Sequence, residues 1–172
     1  MPDPSVTTIE GLGRRAAAYR ALHHVLFEAL GRWATAEADH TSPSARPFYA
    51  AWSQHQAWHA ELWAARHPTA PDADLDAATA SARARLDPVA TALATLPDDT
   101  ARLTFLADQV LPQLEQVLAE HRERLDERLD APTARVVDLV LTDVRRDRES
   151  AERLVPDPSP DVPAIDLVAP LT

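Results

Sequence analysis

The sequence lacks cysteine and lysine, and it has no apolar run long enough to cross a membrane. Without cysteine, disulfides, zinc–thiolate sites and iron–sulfur clusters are excluded, and the redox state of the compartment is left open. All 17 basic residues are arginine, a bias typical of a GC-rich genome rather than of a function. No apolar stretch approaches the roughly 18 residues of a transmembrane helix, so no membrane association is expected.

Positive charge is also scarce in this chain. The 27 acidic residues outnumber the basic ones and give a formal charge of -10. Binding to nucleic acid or to an anionic membrane needs a basic patch that displaces counterions, so neither partner is expected. A small molecule or another protein is the expected partner. Residues Met1–Pro4 have neither the basic nor the hydrophobic region of a signal peptide, which favours a cytoplasmic location.

Apolar residues are plentiful and recur with the spacing of helices. A chain of 172 residues that is 45% hydrophobic is expected to form a single all-α domain, with a core at about 7–155. The predicted long helices cover about 7–37, 47–66, 98–129 and 133–154. Residues 69–97 are predicted to form short helices that cross from one end of the bundle to the other. The third long helix is expected to kink at Pro112, and the Pro-rich tail 156–172 to remain non-helical and lie along a groove.

Histidines lie on the apolar faces of these helices, most visibly in Phe48–Trp63. On a helical wheel, His55 and His59 fall near the middle of the apolar sector of that stretch. The inward polar set is His23, His55, His59, His121, Asp143 and Asp147. Two histidines four residues apart are a workable chelating pair, and imidazoles with a carboxylate suit iron, manganese or zinc.

The same residues suggest a catalytic site. His55 and His59 are candidate general acid–base groups, because imidazole titrates near neutral pH. Tyr19, Trp52 and Trp58 are candidate lining residues of a pocket for an aromatic or hydrophobic molecule. Counted outward from the predicted turn at Asp130–Thr133, His121 and Asp143 are about equally distant and are expected to meet. Counted in the same way from the link between the first two helices, His59 is the histidine closest to His23 in height along the bundle.

Three segments resemble a group of ferritin-like proteins from actinobacteria. These segments are Leu26–Trp33, His55–Trp63 and Asp130–Asp147. The resemblance extends from the first long helix to the fourth. It implies an antiparallel four-helix bundle with a long crossover between helices two and three.

The ferritin-like resemblance also implies a di-iron site, from which this sequence departs. That site uses one Glu on each of two helices and Glu-x-x-His on the other two. Glu28 and Glu115 are the candidate single glutamates. Glutamine stands at position 56, where the second helix needs a carboxylate before His59, and the fourth helix offers Asp143 or Asp147 without the histidine. The metal motif is therefore degenerate.

Three interpretations remain open from the sequence. The first is an enzyme with a pocket inside the bundle, either metal-dependent or cofactor-free, acting on a small hydrophobic molecule. The second is a metal-free protein that binds such a ligand without catalysis. The third is a structural protein, expected to be a homodimer, whose inward histidines are ordinary hydrogen-bonded core residues.

Overall fold

The computed structural model describes residues 8–36, 41–69, 74–155 and 160–171, apart from the side chain at position 129. The described residues form helices and connecting segments without any strand, which confirms the predicted all-α class. The helices are α1 (Ile9–Thr35), α2 (Arg46–Ala64), α3 (Leu75–Arg85), α4 (Asp87–Thr95), α5 (Asp99–Phe105), α6 (Leu111–Arg124), α7 (Glu127–Glu152) and α8 (Val168–Leu171), with a π-helical turn (Leu106–Val110) joining α5 to α6.

Side-chain caps set the starts of several helices. The hydroxyl of Thr8 accepts a hydrogen bond from the Gly11 amide at the start of α1. The carboxylates of Asp74 and Asp98 accept equivalent bonds at the starts of α3 and α5. Each cap satisfies an amide that has no partner inside the helix. The cap residues therefore determine where the short crossover helices begin.

The third long helix differs from its predicted form in two ways. It widens into the π-helical turn just before Pro112, where the Leu111 amide bonds to the carbonyl of Leu106. Proline lacks an amide proton and crowds the carbonyl four residues earlier, and a π-helical turn is one way to accommodate it. The helix then ends at Arg124 rather than near 129, because Leu125 adopts an extended backbone.

The connection into α7 also begins earlier than predicted. Helix α7 starts at Glu127, but Asp130 has non-helical angles (φ -142°, ψ 57°) that separate its first turn from the rest. The Asp130 carboxylate accepts from the Thr133 amide at 3.1 Å and caps the main part of the helix. The predicted turn at Asp130–Thr133 is thus the second half of a longer bend.

Helices α1 and α2 pack side by side in opposite directions. The aromatic rings of Tyr19 and Trp63 stack at 4.3 Å near one end, and those of Trp33 and Tyr49 meet edge-on at 5.4 Å near the other. As the residue number rises on α1 it falls on α2. The short link between them therefore makes an antiparallel helix pair.

Helices α6 and α7 form the second antiparallel pair. Arg122 on α6 contacts Asp138 on α7 at 2.7 Å. Further along, Glu115 contacts Arg145 at 2.8 Å. The first contact lies close to the connection, and the second lies away from it on both helices. The two helices therefore run in opposite directions.

Helix α2 joins the two pairs by packing against α7. The imidazole of His55 lies 3.1 Å from the Asp147 carboxylate. Toward the other end of α2, Arg66 contacts Asp130 at 3.3 Å. These contacts make α2 antiparallel to α7 and hence parallel to α6.

The crossover between α2 and α6 lies against α1. Arg20 binds Asp76 at 2.9 Å, and Glu28 binds Arg83 at 2.6 Å, so α3 runs parallel to α1. This direction carries the chain back along the length of the long helices. It allows α5, the π-helical turn and α6 to run in the same direction as α2.

The C-terminal segment packs against α6. The side-chain amide of Gln113 donates to the Ile165 carbonyl and accepts from the Leu167 amide, both at 3.0 Å. Leu167 and Leu171 are buried. Contrary to the prediction of a non-helical tail, Val168–Leu171 forms one helical turn, which the Asp166 carboxylate caps by accepting from the Val168 amide.

Candidate functional site

The buried face of α2 is rotated relative to the predicted one. The residues it buries are Tyr49, Trp52, Ser53, Gln56, His59, Ala60 and Trp63. The His55 side chain keeps 33% of its surface exposed and lies at the edge of this face rather than near its middle. Trp58 is 45% exposed, so it does not line an interior pocket as predicted. The rotation follows from the close packing of α2 on α1 through small and polar residues.

His23 on α1 is completely buried and hydrogen-bonded to α2. Its Nδ1 lies 2.6 Å from the Oε1 atom of Gln56. A carbonyl oxygen only accepts, so Nδ1 carries the proton and Nε2 has the free lone pair. Among the described residues, Nε2 has no hydrogen-bond partner. Burial, reinforced by the nearby His59 ring, lowers the pKa of His23 to about 3, so the side chain is neutral.

His59 is equally buried and faces His23. The two rings meet edge-on with their centroids 5.1 Å apart. Nε2 of His59 donates to the Asp143 carboxylate at 3.2 Å, whereas its buried Nδ1 has no partner within the described part of the chain. A carboxylate neighbour favours the charged imidazole, but burial is the larger effect and, with His55 nearby, lowers the pKa of His59 to about 4.

His55 forms a second pair with α7, nearer the surface. Its Nδ1 lies 3.1 and 3.2 Å from the two carboxylate oxygens of Asp147. Burial raises the pKa of Asp147 above its usual value, while the hydrogen bond from His55 opposes that shift. The imidazole is therefore held in the tautomer that leaves a lone pair on Nε2.

The two His–Asp pairs, His55–Asp147 and His59–Asp143, are successive along the α2–α7 contact. Each helix contributes residues four positions apart, which lie on the same helical face. The sequence counting predicted that Asp143 meets His121; instead it contacts His59. The prediction compared only the distances of His121 and Asp143 from the turn that joins their helices. It left out α2, which packs against α7 at Asp143 and Asp147.

His121 belongs to a separate aromatic cluster. Its ring stacks on Tyr19 at 5.5 Å and on Trp63 at 6.1 Å. Burial and the charge of Arg15 lower the pKa of His121 to about 3, and burial raises the pKa of Tyr19. Neither imidazole nitrogen has a partner among the described residues. A cavity of about 10 Å³ borders His121, enough for roughly one water molecule.

The two candidate glutamate ligands lie away from the histidines. Glu28 is 45% exposed and binds Arg83 on α3. Glu115 binds Arg145 at 2.8 Å and Arg148 at 3.1 Å, and the Arg145 bond is the main reason that its pKa is lowered. Both carboxylates are thus held in ion pairs between helices.

The donor set does not fit a di-iron centre. A pair of ferric ions needs several carboxylates that bridge and compensate charge. Here Asp143 and Asp147 each accept from a histidine, and Glu28 and Glu115 face arginines. Within the described ranges, no three His, Asp or Glu side chains converge in a metal-binding group. The predicted six-residue ligand set is divided among the two His–Asp pairs, the His23–Gln56 contact and the His121 cluster.

Gln56 is the site residue whose role the sequence analysis missed. The residue is completely buried and orients His23. Its spacing from Trp52, His59 and Trp63 follows the helical repeat, and this spacing indicates that Gln56 lies on the buried face of α2. The ferritin-like motif identifies position 56 only as a place where glutamine replaces a carboxylate.

No protein family, curated protein or solved structure matches this chain. Among the described residues, no helix combines the length and apolar character needed to cross a membrane.

Proposed function

We propose that this chain is a ferritin-like four-helix bundle that has lost its di-iron site and acts as a cofactor-free enzyme on a small, mainly apolar molecule. Its reaction is a proton transfer with His55 as the general base. The observation that carries the proposal is the contact of the His55 Nδ1 with both carboxylate oxygens of Asp147. The alternative is a protein of the same fold that binds a ligand without catalysis or is purely structural.

The helix directions support the ferritin-like assignment. Two antiparallel pairs, α1–α2 and α6–α7, are joined by a crossover that makes α2 and α6 parallel. A single long crossover between the second and third helices is the connection found in ferritin-like bundles. Helices α2 and α7 are also antiparallel, and the contacts between them include His55 and His59.

The geometry of the exposed pair supports base catalysis. Because Asp147 accepts the Nδ1 proton, the Nε2 lone pair of His55 is available to remove a proton from a substrate or from water. The carboxylate then stabilises the imidazolium that forms. Return of the proton to the product restores neutral His55. The ring is a third exposed, so a substrate reaches it from the surface.

The buried pair has a different role in this proposal. With a pKa of about 4, His59 stays neutral near pH 7 and contributes a hydrogen-bonding group rather than a second base. Together with His23, it places unpartnered ring nitrogens in the interior, among the described residues. Buried polar atoms without partners are costly, so this interior favours a bound water or a polar ligand group. The same observation supports the ligand-binding alternative.

The test is a turnover screen on untagged protein with small apolar esters and carbonyl compounds. A general base contributes about 10²–10⁴-fold, so H55Q should lower kcat/KM at least about 100-fold for any active compound. D147N should also lower kcat/KM, because it removes the carboxylate that orients His55 and stabilises the imidazolium formed during the reaction. H24Q is the matched control, since His24 is a partly buried histidine on α1 without a carboxylate hydrogen bond among the described residues.

Two outcomes contradict the cofactor-free proposal. The first is turnover that survives H55Q at the parent rate. The second is near-stoichiometric iron, manganese or zinc in elemental analysis that H59Q removes, which would favour a metal-dependent enzyme. Ligand-induced stabilisation without turnover, lost in H23Q or H59Q, would instead support the non-catalytic alternative.

A further inference from the structure

Three arginines converge on one surface pocket away from the His–Asp pairs. The pocket has a volume of about 250 Å³ and lies between the start of α1, the end of α3 and α8. Arg14 and Arg15 enter it from α1, and Arg85 enters it from the last residue of α3. Arg15 precedes His23 by eight positions, which places the pocket about 12 Å from His23 toward the start of α1.

The charges of these arginines are not compensated within the described part of the chain. Most other arginines there bind carboxylates, such as Arg20 with Asp76. Arg85 donates to the Pro170 carbonyl at 3.4 Å and forms no ion pair with a carboxylate among the described residues. Arg14 and Arg15 form no ion pair with a carboxylate of the described residues. In a chain with a net charge of -10, this local positive cluster is an exception.

The rest of the pocket lining is small or apolar. It comprises Gly11, Ala18, Ala169, Pro170 and Leu171. Among the described residues the pocket lining includes no acidic side chain, so none of these side chains repels an anion. Guanidinium groups bind phosphate through paired, charge-assisted hydrogen bonds, and an apolar wall favours a ligand with a hydrophobic substituent.

We propose that this pocket binds a small organic phosphate, with its phosphate group on Arg14, Arg15 and Arg85 and its apolar substituent against α8. The site is independent of the proposed proton-transfer chemistry. Arg15 also borders the cavity beside Trp63 and His121. A ligand that moves the Arg15 side chain therefore changes the surroundings of Trp63. The ligand therefore changes tryptophan fluorescence as well as stability.

The experiment is calorimetric titration of the parent chain at low ionic strength with phenyl phosphate and with inorganic phosphate. Saturable binding of one phenyl phosphate per chain is expected, tighter than that of inorganic phosphate. R14Q should weaken phenyl phosphate about tenfold, because it removes one charge-assisted contact. R14Q is preferred to R85Q because Arg85 also holds the Pro170 carbonyl.

R135Q is the matched control. Arg135 is exposed on α7, outside the pocket, so its replacement makes the same change in net charge without touching the site. Equal weakening in R14Q and R135Q would overturn the proposal, since it would indicate a general charge effect. Absence of saturable binding to the parent chain would overturn it too. If the parent chain binds no phosphate and R14Q is less stable, the arginines are assigned to an internal contact.

Discussion

At the scale of single residues, the histidines differ because their surroundings differ. His23 and His59 are buried and neutral, whereas His55 keeps part of its surface in solvent. In each, one ring nitrogen faces an oxygen acceptor, which fixes the tautomer and leaves the other nitrogen with its lone pair. The acceptor, more than the histidine, therefore determines which nitrogen is available for chemistry.

Replacing Gln56 tests this dependence. In Q56L the Nδ1 proton of His23 loses its acceptor in a fully buried site, and we expect a loss of about 1–3 kcal/mol in the free energy of unfolding. Urea denaturation followed by circular dichroism measures the loss. Q54L is the matched control, because Gln54 lies on the same helix two positions before Gln56 but is exposed to solvent. Equal stability of Q56L and the parent chain would show that the hydrogen bond contributes nothing net.

At the scale of helices, the α1–α2 contact decides which residues of α2 face inward. Small residues let the two helices approach closely, and Ser53 donates to the Phe27 carbonyl at 3.2 Å across the contact. That approach buries Ser53 and Gln56 and moves His55 toward the edge. Hydrophobicity alone placed the centre of the face nearer His55, because it gives no weight to small or polar residues at a close contact.

Gly31 on α1 allows a test of how close that contact is. A Cβ atom at position 31 would lie 3.5 Å from the Ser53 hydroxyl oxygen, which is an ordinary contact distance. G31A should therefore raise the free energy of unfolding by about 0.5–1 kcal/mol, because alanine favours a helix over glycine by that amount. Denaturant titration provides the measurement. A destabilised G31A chain would mean that the helices pack more closely than this distance.

At the scale of the whole molecule, the four long helices enclose several neutral imidazoles. The pKa values of His23 and His121 are about 3, and that of His59 is about 4. An unfolded histidine titrates near 6.5, so below that pH the unfolded chain binds protons that the folded chain does not. Stability is therefore greatest above pH 6.5 and falls as the pH is lowered toward the folded pKa values.

The size of this acid sensitivity can be measured. Each of the three histidines should remove on the order of 2 kcal/mol of stability between pH 6.5 and 5. The raised pKa of Asp147 works in the opposite direction, since its folded form holds a proton more tightly. Thermal unfolding from pH 8 to 5 should show the loss, and H121F should reduce its slope by about one proton. A stability independent of pH over this range would contradict the neutral buried state.

Several elements were determined by local sequence. The capping residues place the starts of α1, α3 and α5 close to their predicted positions, because a cap acts within the first turn of its helix. The apolar repeat likewise identified His23, His59 and His121 as inward, and all three are buried. The exposed positions of Glu28 and the partial exposure of Glu115 also agree with an ideal helical wheel.

The partners of these residues required the tertiary structure. Asp143 and Asp147 meet His59 and His55 because α2 packs on α7, and no count along one chain shows which helices are neighbours. Trp58 is exposed for the same reason, since no helix of the described residues covers its side of α2. Local sequence determined the helices and their apolar faces, because capping and periodicity are short-range effects. Packing between distant helices alone decided which histidine has a carboxylate and which remains buried without one.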